Sequence, residues 1–279
     1  MDKIINDFIK KGIAEDVGNG DITSIACIDQ NSTGKAELIS KESCQIAGID
    51  IAKRIFKFYD KQLVFKALKK DGESIKKNDV VFTVAGKKQS ILSTERLVLN
   101  CMQRMSGIAT KTKKFINKVI DLNTTILDTR KTCPTIRFLD KKAVEIGGAK
   151  NHRHGLYDVI MIKDNHIDFS GSIQNAIKNC QQYRKKQKKK IDIIIEARNL
   201  QELKKIINIG GVNRILLDNF TIPQTQKAVN LVNKKYPLES SGNIQLHNVR
   251  EYALCGVDYI SIGGLTHSIK SIDLSMRSI

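Results

Sequence analysis

A chain of 279 residues with 41% hydrophobic and 27% charged residues is long enough to bury a sizeable core and too apolar to be a disordered polyelectrolyte. No apolar run approaches the ~20 residues that cross a bilayer, and the N-terminus lacks the basic and then apolar segments of a secretory signal. The net charge of +18 invites a nucleic-acid partner, but no tryptophan and only 5% aromatic residues leave no stacking platform for bases. Much of the charge is lysine in runs such as Arg184–Lys190, which read as a solvated loop. Focused positive potential serves a small anion equally well. No nucleic-acid and no membrane partner is therefore expected. Six scattered cysteines without a CxxC pair argue against a disulfide framework and for a cytoplasmic protein, with Cys133 read as a small packing residue.

In chain order, Ile4, Ile5, Phe8, Ile9 and Ile13 recur at helical spacing behind Asp2, so the chain opens on an amphipathic helix. It ends at the glycine-punctuated loop Asp16–Asp21. Strand-like stretches follow at Ala36–Ile39, Leu63–Phe65 and Val80–Val84, around a helix near Ile51–Tyr59. These make a small α+β domain with an open sheet. A further helix, Ser93–Met105, is expected to start at Ser93 and to link this domain to the next. From Thr125 to Gly264, six short apolar runs alternate with helix-like stretches. The runs are 125–127, 159–162, 193–195, 215–217, 237–238 and 259–262. Such alternation predicts an α/β fold, an incomplete β/α barrel of about six to seven strands. The expected domains are 1–108 (sandwich-like, with the tail 266–279 packing on it) and 109–265, the barrel.

Each run ends in residues that handle charge or phosphate. Arg130 and Lys131 follow the first and Lys163 the second, while Glu196, Asp218, Ser241–Gly242 and Gly263–Gly264 follow the others. Barrels place their chemistry at the C-terminal ends of strands. Arg130, Lys131, His152, Arg153 and Lys163 form a cationic set suited to several carboxylates or phosphates. Glu196 and Asp218 suit Mg²⁺, which takes oxygen ligands and keeps waters and substrate phosphates. The late glycine turns suit a phosphate cradle. His152–Arg153–His154 contains an HxH pair, a weak metal signal without further ligands.

The segments Glu15–Thr23, Glu95–Asn100, Gln103–Thr110, Asp128–Thr132, Asn151–Arg153, Ile162–His166, Leu217–Asn219 and Leu265–Ser268 resemble those of quinolinate phosphoribosyltransferase, in order and spacing, from about residue 12 onward. The resemblance implies phosphoribosyl transfer from phosphoribosyl pyrophosphate to quinolinate with decarboxylation, giving nicotinate mononucleotide, pyrophosphate and CO₂ in NAD biosynthesis. It implies that Arg130, Lys131, His152, Arg153 and Lys163 bind the two carboxylates of quinolinate. Lys131, Lys163, Glu196 and Asp218 would be the catalytic set, with Glu196 and Asp218 holding Mg²⁺ and the ribose side. Ser241, Gly242, Gly263, Gly264 and His267 would contact or adjoin phosphate. Arg96 would reach a neighbouring subunit's site, so a homo-oligomer, a dimer or a hexamer of dimers, is implied.

This chain departs from the family pattern at Ala149 in a run of glycines, at Ile194 and Arg198 around Glu196, and at Asn243 after Gly242. Alanine at position 149 requires a negative φ. Two competing readings keep the barrel: a sister enzyme with another anionic acceptor, and a Schiff-base enzyme using Lys163. A mono-anionic acceptor would leave buried positive charge unpaired.

Overall fold

The structure, a computed structural model, describes residues 2–187 and 190–279. Met1, and Lys188 and Lys189 of the lysine run read as a solvated loop, lie outside the described residues. Contacts divide the chain into two compact units. One comprises Met1–Lys113, Cys133–Gly148 and Ser268–Ile279, the other Lys114–Thr132 and Ala149–His267.

The first unit begins with helix α1 (Asp2–Asp16), which buries Ile5 and Ile9. Asp21 caps the short α2 (Ile22–Cys27), accepting the Ser24 N–H at 3.0 Å. Then come β1 (Thr33–Ser40), β2 (Cys44–Gln45), α3 (Ile49–Tyr59), β3 (Val64–Ala67), β4 (Ser74–Ile75) and β5 (Val80–Lys87). Strand β5 runs directly into α4 (Lys88–Val119), a helix of 32 residues. The expected start at Ser93 is thus corrected to Lys88. Ser93 is a buried residue inside the helix, and the hydroxyl that reads as a cap is overridden by helix continuity with β5.

Beyond α4 lie β6 (Thr125–Leu127), α5 (Arg137–Ile146), β7 (Ile160–Ile162), α6 (Asp164–Phe169), α7 (Ile173–Lys186), β8 (Ile193–Ala197) and α8 (Leu200–Ile209). The chain closes with β9 (Arg214–Asp218), α9 (Ile222–Val232), β10 (Leu238–Ser241), α10 (Val249–Leu254), β11 (Tyr259–Ser261), α11 (Gly264–His267) and β12 (Leu274–Ser278). Helix α5 and strand β12 belong to the first unit, where β12-β1-β5-β3 form an antiparallel sheet. Gly147, at the end of α5, meets α4 so closely that a Cβ there would stand 2.5 Å from Thr112 Cβ. Arg104 of α4 clamps the fully buried Asp140 of α5 through two hydrogen bonds, 2.7 and 2.8 Å.

In the second unit six strands run parallel in the order β6-β11-β10-β9-β8-β7. Ile126, Ile193, Ile195, Ile215, Leu217 and Ile260 are buried, as expected of a parallel sheet covered on both sides. Among the described residues β6 and β7 are not paired with each other; a single bridge, Leu127 to Lys150, extends from β6. The barrel is therefore incomplete, as its sequence pattern suggests. The strands reach further than the apolar runs: Glu196, Asp218 and Glu239–Ser241 lie within β8, β9 and β10 rather than after them. Side chains of a strand alternate between faces, so polar residues can occupy the barrel-facing positions without breaking the ladder.

Candidate active site

The parallel register brings charge together. Ile162 pairs with Ile195, so Lys163, the next residue, stands level with Glu196 on the adjacent strand. Lys163 Nζ donates to Glu196 Oε1 at 2.5 Å. Lys163 is half-exposed, whereas Glu196 is buried. Burial pushes the Glu196 carboxyl above its ordinary range; the Lys163 ammonium opposes that rise, while the Asp218 and Asp164 carboxylates add to it. Asp218 is the last residue of β9, and its Oδ2 accepts from Asn219 Nδ2 at 3.1 Å.

Arg153 lies in the loop before β7, half-buried, with Nη1 donating to Val159 O at 3.3 Å. Burial and the neighbouring Arg130 guanidinium pull its pKa below that of a free arginine, while the Asp158 and Glu196 carboxylates pull the other way. Two arginines that repel each other this close to a carboxylate make a site that favours an added polyanion. Lys131 is exposed, and its carbonyl accepts from Thr266 Oγ1 at 2.8 Å. Gly263, after β11, is tight against this group. A Cβ there would stand 3.0 Å from Lys131 Cδ and 3.2 Å from His267 Cδ2. Gly264 opens α11 and His267 ends it, exposed.

His152 is the most enclosed of the predicted cations, its side chain only 7% exposed. Its main-chain N–H donates to Asp128 Oδ1 at 2.7 Å, its Nδ1 accepts from Arg153 N at 2.6 Å, and its Nε2 stands 3.3 Å from Glu239 Oε1. His154 N–H and Gly155 N–H both donate to the Asp158 carboxylate.

At the end of β10, Ser241 pairs with Asp218 of β9. Its carbonyl accepts from Asn219 N at 2.8 Å. Gly242 has φ +96°, and a Cβ there would collide with the Asn219 side chain. Asn243 has φ +51° and donates through Nδ2 to Asn219 Oδ1 at 3.2 Å. Asparagine tolerates the left-handed region, which accounts for its standing where a glycine is usual.

The other departures also resolve. Ala149 is buried and does not have a positive φ, as the substitution requires. Ile194 is buried in β8. Arg198 turns its charge to Glu202 at 2.6 Å and to Asp168 at 3.3 Å.

Arg96 belongs to α4 in the first unit, exposed, with no hydrogen bond or ion pair among the described residues. Cys133 is exposed rather than packed, a correction; it lies in a bent segment with Pro134 and the left-handed Thr135 beside it. Among the described residues no cluster of three or more metal-ligating side chains occurs, and no helix is long and apolar enough to cross a membrane.

Sequence reasoning gave no sign of Arg214, and it placed Asn219 and Glu239 after apolar runs without assigning either a role. Glu239 is fully buried and joined to Arg214 at 2.9 Å; Arg214 in turn lies 3.7 Å over the Tyr259 ring. The available signal was alternation: a carboxylate two residues before Ser241 shares its face once β10 extends that far.

An incomplete parallel β/α barrel with cations, carboxylates and glycine turns at its strand ends has the makings of an enzyme site suited to small polyanions. Family models narrow the class. The C-terminal domain of quinolinate phosphoribosyl transferase matches residues 108–277, and the N-terminal domain matches residues 21–106. The chain is 39% identical over 284 residues to a chloroplastic nicotinate-nucleotide pyrophosphorylase [carboxylating] of Arabidopsis thaliana, covering 96% of this chain and 81% of that protein. It is 39% identical over 276 residues to a probable nicotinate-nucleotide pyrophosphorylase [carboxylating] of Bacillus subtilis, covering 99% and 92%. The crystal structure of NadC from Streptococcus pyogenes superposes with a TM-score of 0.93 at 35% identity, covering 99% of this chain and 97% of that one. The chain belongs to the quinolinate phosphoribosyl transferase family.

Proposed function

We propose that the strand-end cluster of the second unit carries out the family's reaction with a division of labour between its cations and its carboxylates. The reaction is that of a carboxylating nicotinate-nucleotide pyrophosphorylase, a pentosyltransferase of NAD biosynthesis. The pyridine nitrogen of quinolinate bonds to the anomeric carbon of phosphoribosyl pyrophosphate, and the bond to pyrophosphate breaks. The ring then loses its 2-carboxylate as CO₂; the electron pair of that bond stays on the ring carbon, which takes a proton from solvent.

In this reading Arg130 and Arg153 hold the quinolinate carboxylates, with Lys131 and Lys163 beside them and His152 behind. Fixing both carboxylates orients the ring nitrogen, and orientation is the larger part of catalysis for two bound reactants. The charge that develops on the ribose is oxocarbenium-like, and Glu196 and Asp218 are the anions placed to stabilise it. Ser241, Gly242, Gly263, Gly264 and His267 line the phosphate side, where backbone N–H groups can approach an anion closely. Glu196 and Asp218 also fit Mg²⁺: the Glu196 carboxyl is disfavoured as an anion by its burial and then by the Asp218 and Asp164 carboxylates, even with Lys163 at hand, so an added cation would be welcome there. With two protein carboxylates, the remaining shell is left to waters and substrate phosphates, as is usual for this ion. The chemistry it supplies is charge neutralisation on the leaving pyrophosphate.

Arg96, exposed in the first unit, is assigned to the site of a second copy, in a dimer or a hexamer of dimers. Its freedom from ion pairs within the described residues supports this. All six cysteines are free, which supports a reducing, cytoplasmic setting.

The observation that carries the reading is the Lys163–Glu196 pair at one end of a parallel sheet, with Arg153 close enough to feel both the Arg130 guanidinium and the Glu196 carboxylate. It is tested by incubating the protein with Mg²⁺ and phosphoribosyl pyrophosphate, with quinolinate and in parallel with nicotinate, and measuring nicotinate mononucleotide and CO₂. Product from quinolinate alone is expected. Product from nicotinate alone would overturn the dicarboxylate reading.

A further inference from the structure

We propose that Glu239 is a positioning residue for this reaction, acting through His152 to fix Arg153. The inference rests on the reading above that Arg153 binds a quinolinate carboxylate.

Glu239 is fully buried, where an ionised carboxylate persists only with partners. Burial raises its pKa, but His152, Arg214 and Ser261 outweigh that, and the carboxyl is held below its ordinary range. In register it stands opposite Leu216 of β9 and Tyr259 of β11. Arg214, two residues before Leu216, shares the same face and donates Nη1 to Glu239 Oε2 at 2.9 Å while stacking on Tyr259. The other oxygen, Oε1, faces His152 Nε2 at 3.3 Å.

The imidazole completes the connection. Its Nδ1 accepts the Arg153 N–H at 2.6 Å, which leaves the ring proton to Nε2, the nitrogen that stands 3.3 Å from Glu239 Oε1. A carboxylate only accepts, which makes this tautomer the one it selects. The tautomer in turn leaves Nδ1 able to hold the Arg153 main chain, while Asp128 holds the main chain of His152. Arg153 therefore projects from a backbone latched on both sides, although Glu239 itself is out of reach of any substrate.

The variant Glu239→Gln tests the chain of contacts. Arg214 can only donate, so the single amide oxygen of Gln faces Arg214 and its NH₂ faces His152 Nε2. Nε2 must then accept, the proton moves to Nδ1, and the bond to Arg153 N–H is lost. Expected for Glu239→Gln is a KM for quinolinate raised at least ~10-fold with the KM for phosphoribosyl pyrophosphate within about twofold of wild type. Arg153→Ala is expected to raise the quinolinate KM as well, and the double variant to be no worse than Arg153→Ala within about threefold, because contacting groups in one chain are not additive. In ¹⁵N spectra, with the His152 signals assigned through His152→Asn, wild type should show a pyridine-type Nδ1 and a pyrrole-type Nε2. Glu239→Gln should show the reverse. An unaltered quinolinate KM in Arg153→Ala overturns the underlying site reading. An affected Arg153→Ala with an unaffected Glu239→Gln, or a double variant that multiplies the two losses, overturns the positioning role alone. Should Glu239→Gln fail to fold, the wild-type spectrum decides: a pyrrole-type Nδ1 at His152 sinks the proposal.

Discussion

Lys163 and Glu196 share one short ion pair with one member half-exposed and the other buried, so the lysine is held at the mouth while the carboxylate stays inside. Removing the charge of Lys163 or Arg130 by alanine should lower kcat/KM by at least ~10²-fold, roughly 2.7 kcal/mol of transition-state stabilisation; steady-state assays with quinolinate varied would show it. Gly263→Ala is a subtler probe. The new methyl presses on Lys131 and His267, both flexible side chains, so the thermal midpoint should stay near wild type while kcat/KM falls; a lowered midpoint with intact kinetics would contradict the placement. Magnesium belongs at this scale too: chelation by excess EDTA should abolish turnover, and full activity would remove the metal role from Glu196 and Asp218. Arg130, Lys131 and Lys163 were legible because each follows an apolar run, and His152 and Arg153 through the Asn151–Arg153 motif. The role of Glu239 was not: it follows the run 237–238, but its partners Arg214 and His152 arrive from other parts of the chain.

Among the elements, existence was easier to read than extent. The apolar runs mark β6, β7, β9 and β11 to within a residue at each end, but β8 and β10 continue through Glu196 and Ser241, because a neighbouring strand can satisfy the backbone of a polar residue as readily as of an isoleucine. Helix α4 extends five residues upstream of Ser93 for a similar reason. Its packing in the first unit depends on Gly107, where a Cβ would run into the backbone of Lys270 and stand 3.4 Å from Ser271 Cα. Gly107→Ala should therefore destabilise by about 1–3 kcal/mol despite alanine's better helix propensity, measured as a shift in urea midpoint. A stabilised variant would refute the close approach.

At the scale of the whole molecule, the cationic set and Arg96 lie in different compact units, and the proposed function assigns Arg96 to another copy. Mixing two inactive variants tests that assignment. After subunit exchange, Arg96→Ala with Lys163→Ala should recover about a quarter of wild-type activity, since random pairing makes half the dimers mixed and each mixed dimer has one intact site. No recovery, with exchange verified, would place Arg96 in its own subunit's site. The charge of +18 was a poor guide by itself, being equally suited to a nucleic acid or a small polyanion. The positions of a few cations at strand ends decided what the total could not.

From the sequence alone came the parallel β/α architecture, the family, and the cations and carboxylates that follow apolar runs, because hydrophobic period and motif spacing are local properties of the chain. Only the tertiary structure decided which of those residues meet. The Lys163–Glu196 pair depends on the register of β7 against β8, and the Glu239–His152–Arg153 connection joins a strand to a loop some 87 residues earlier in the chain. Such contacts are set by how the strands pair and close, and no local pattern of side chains encodes that choice.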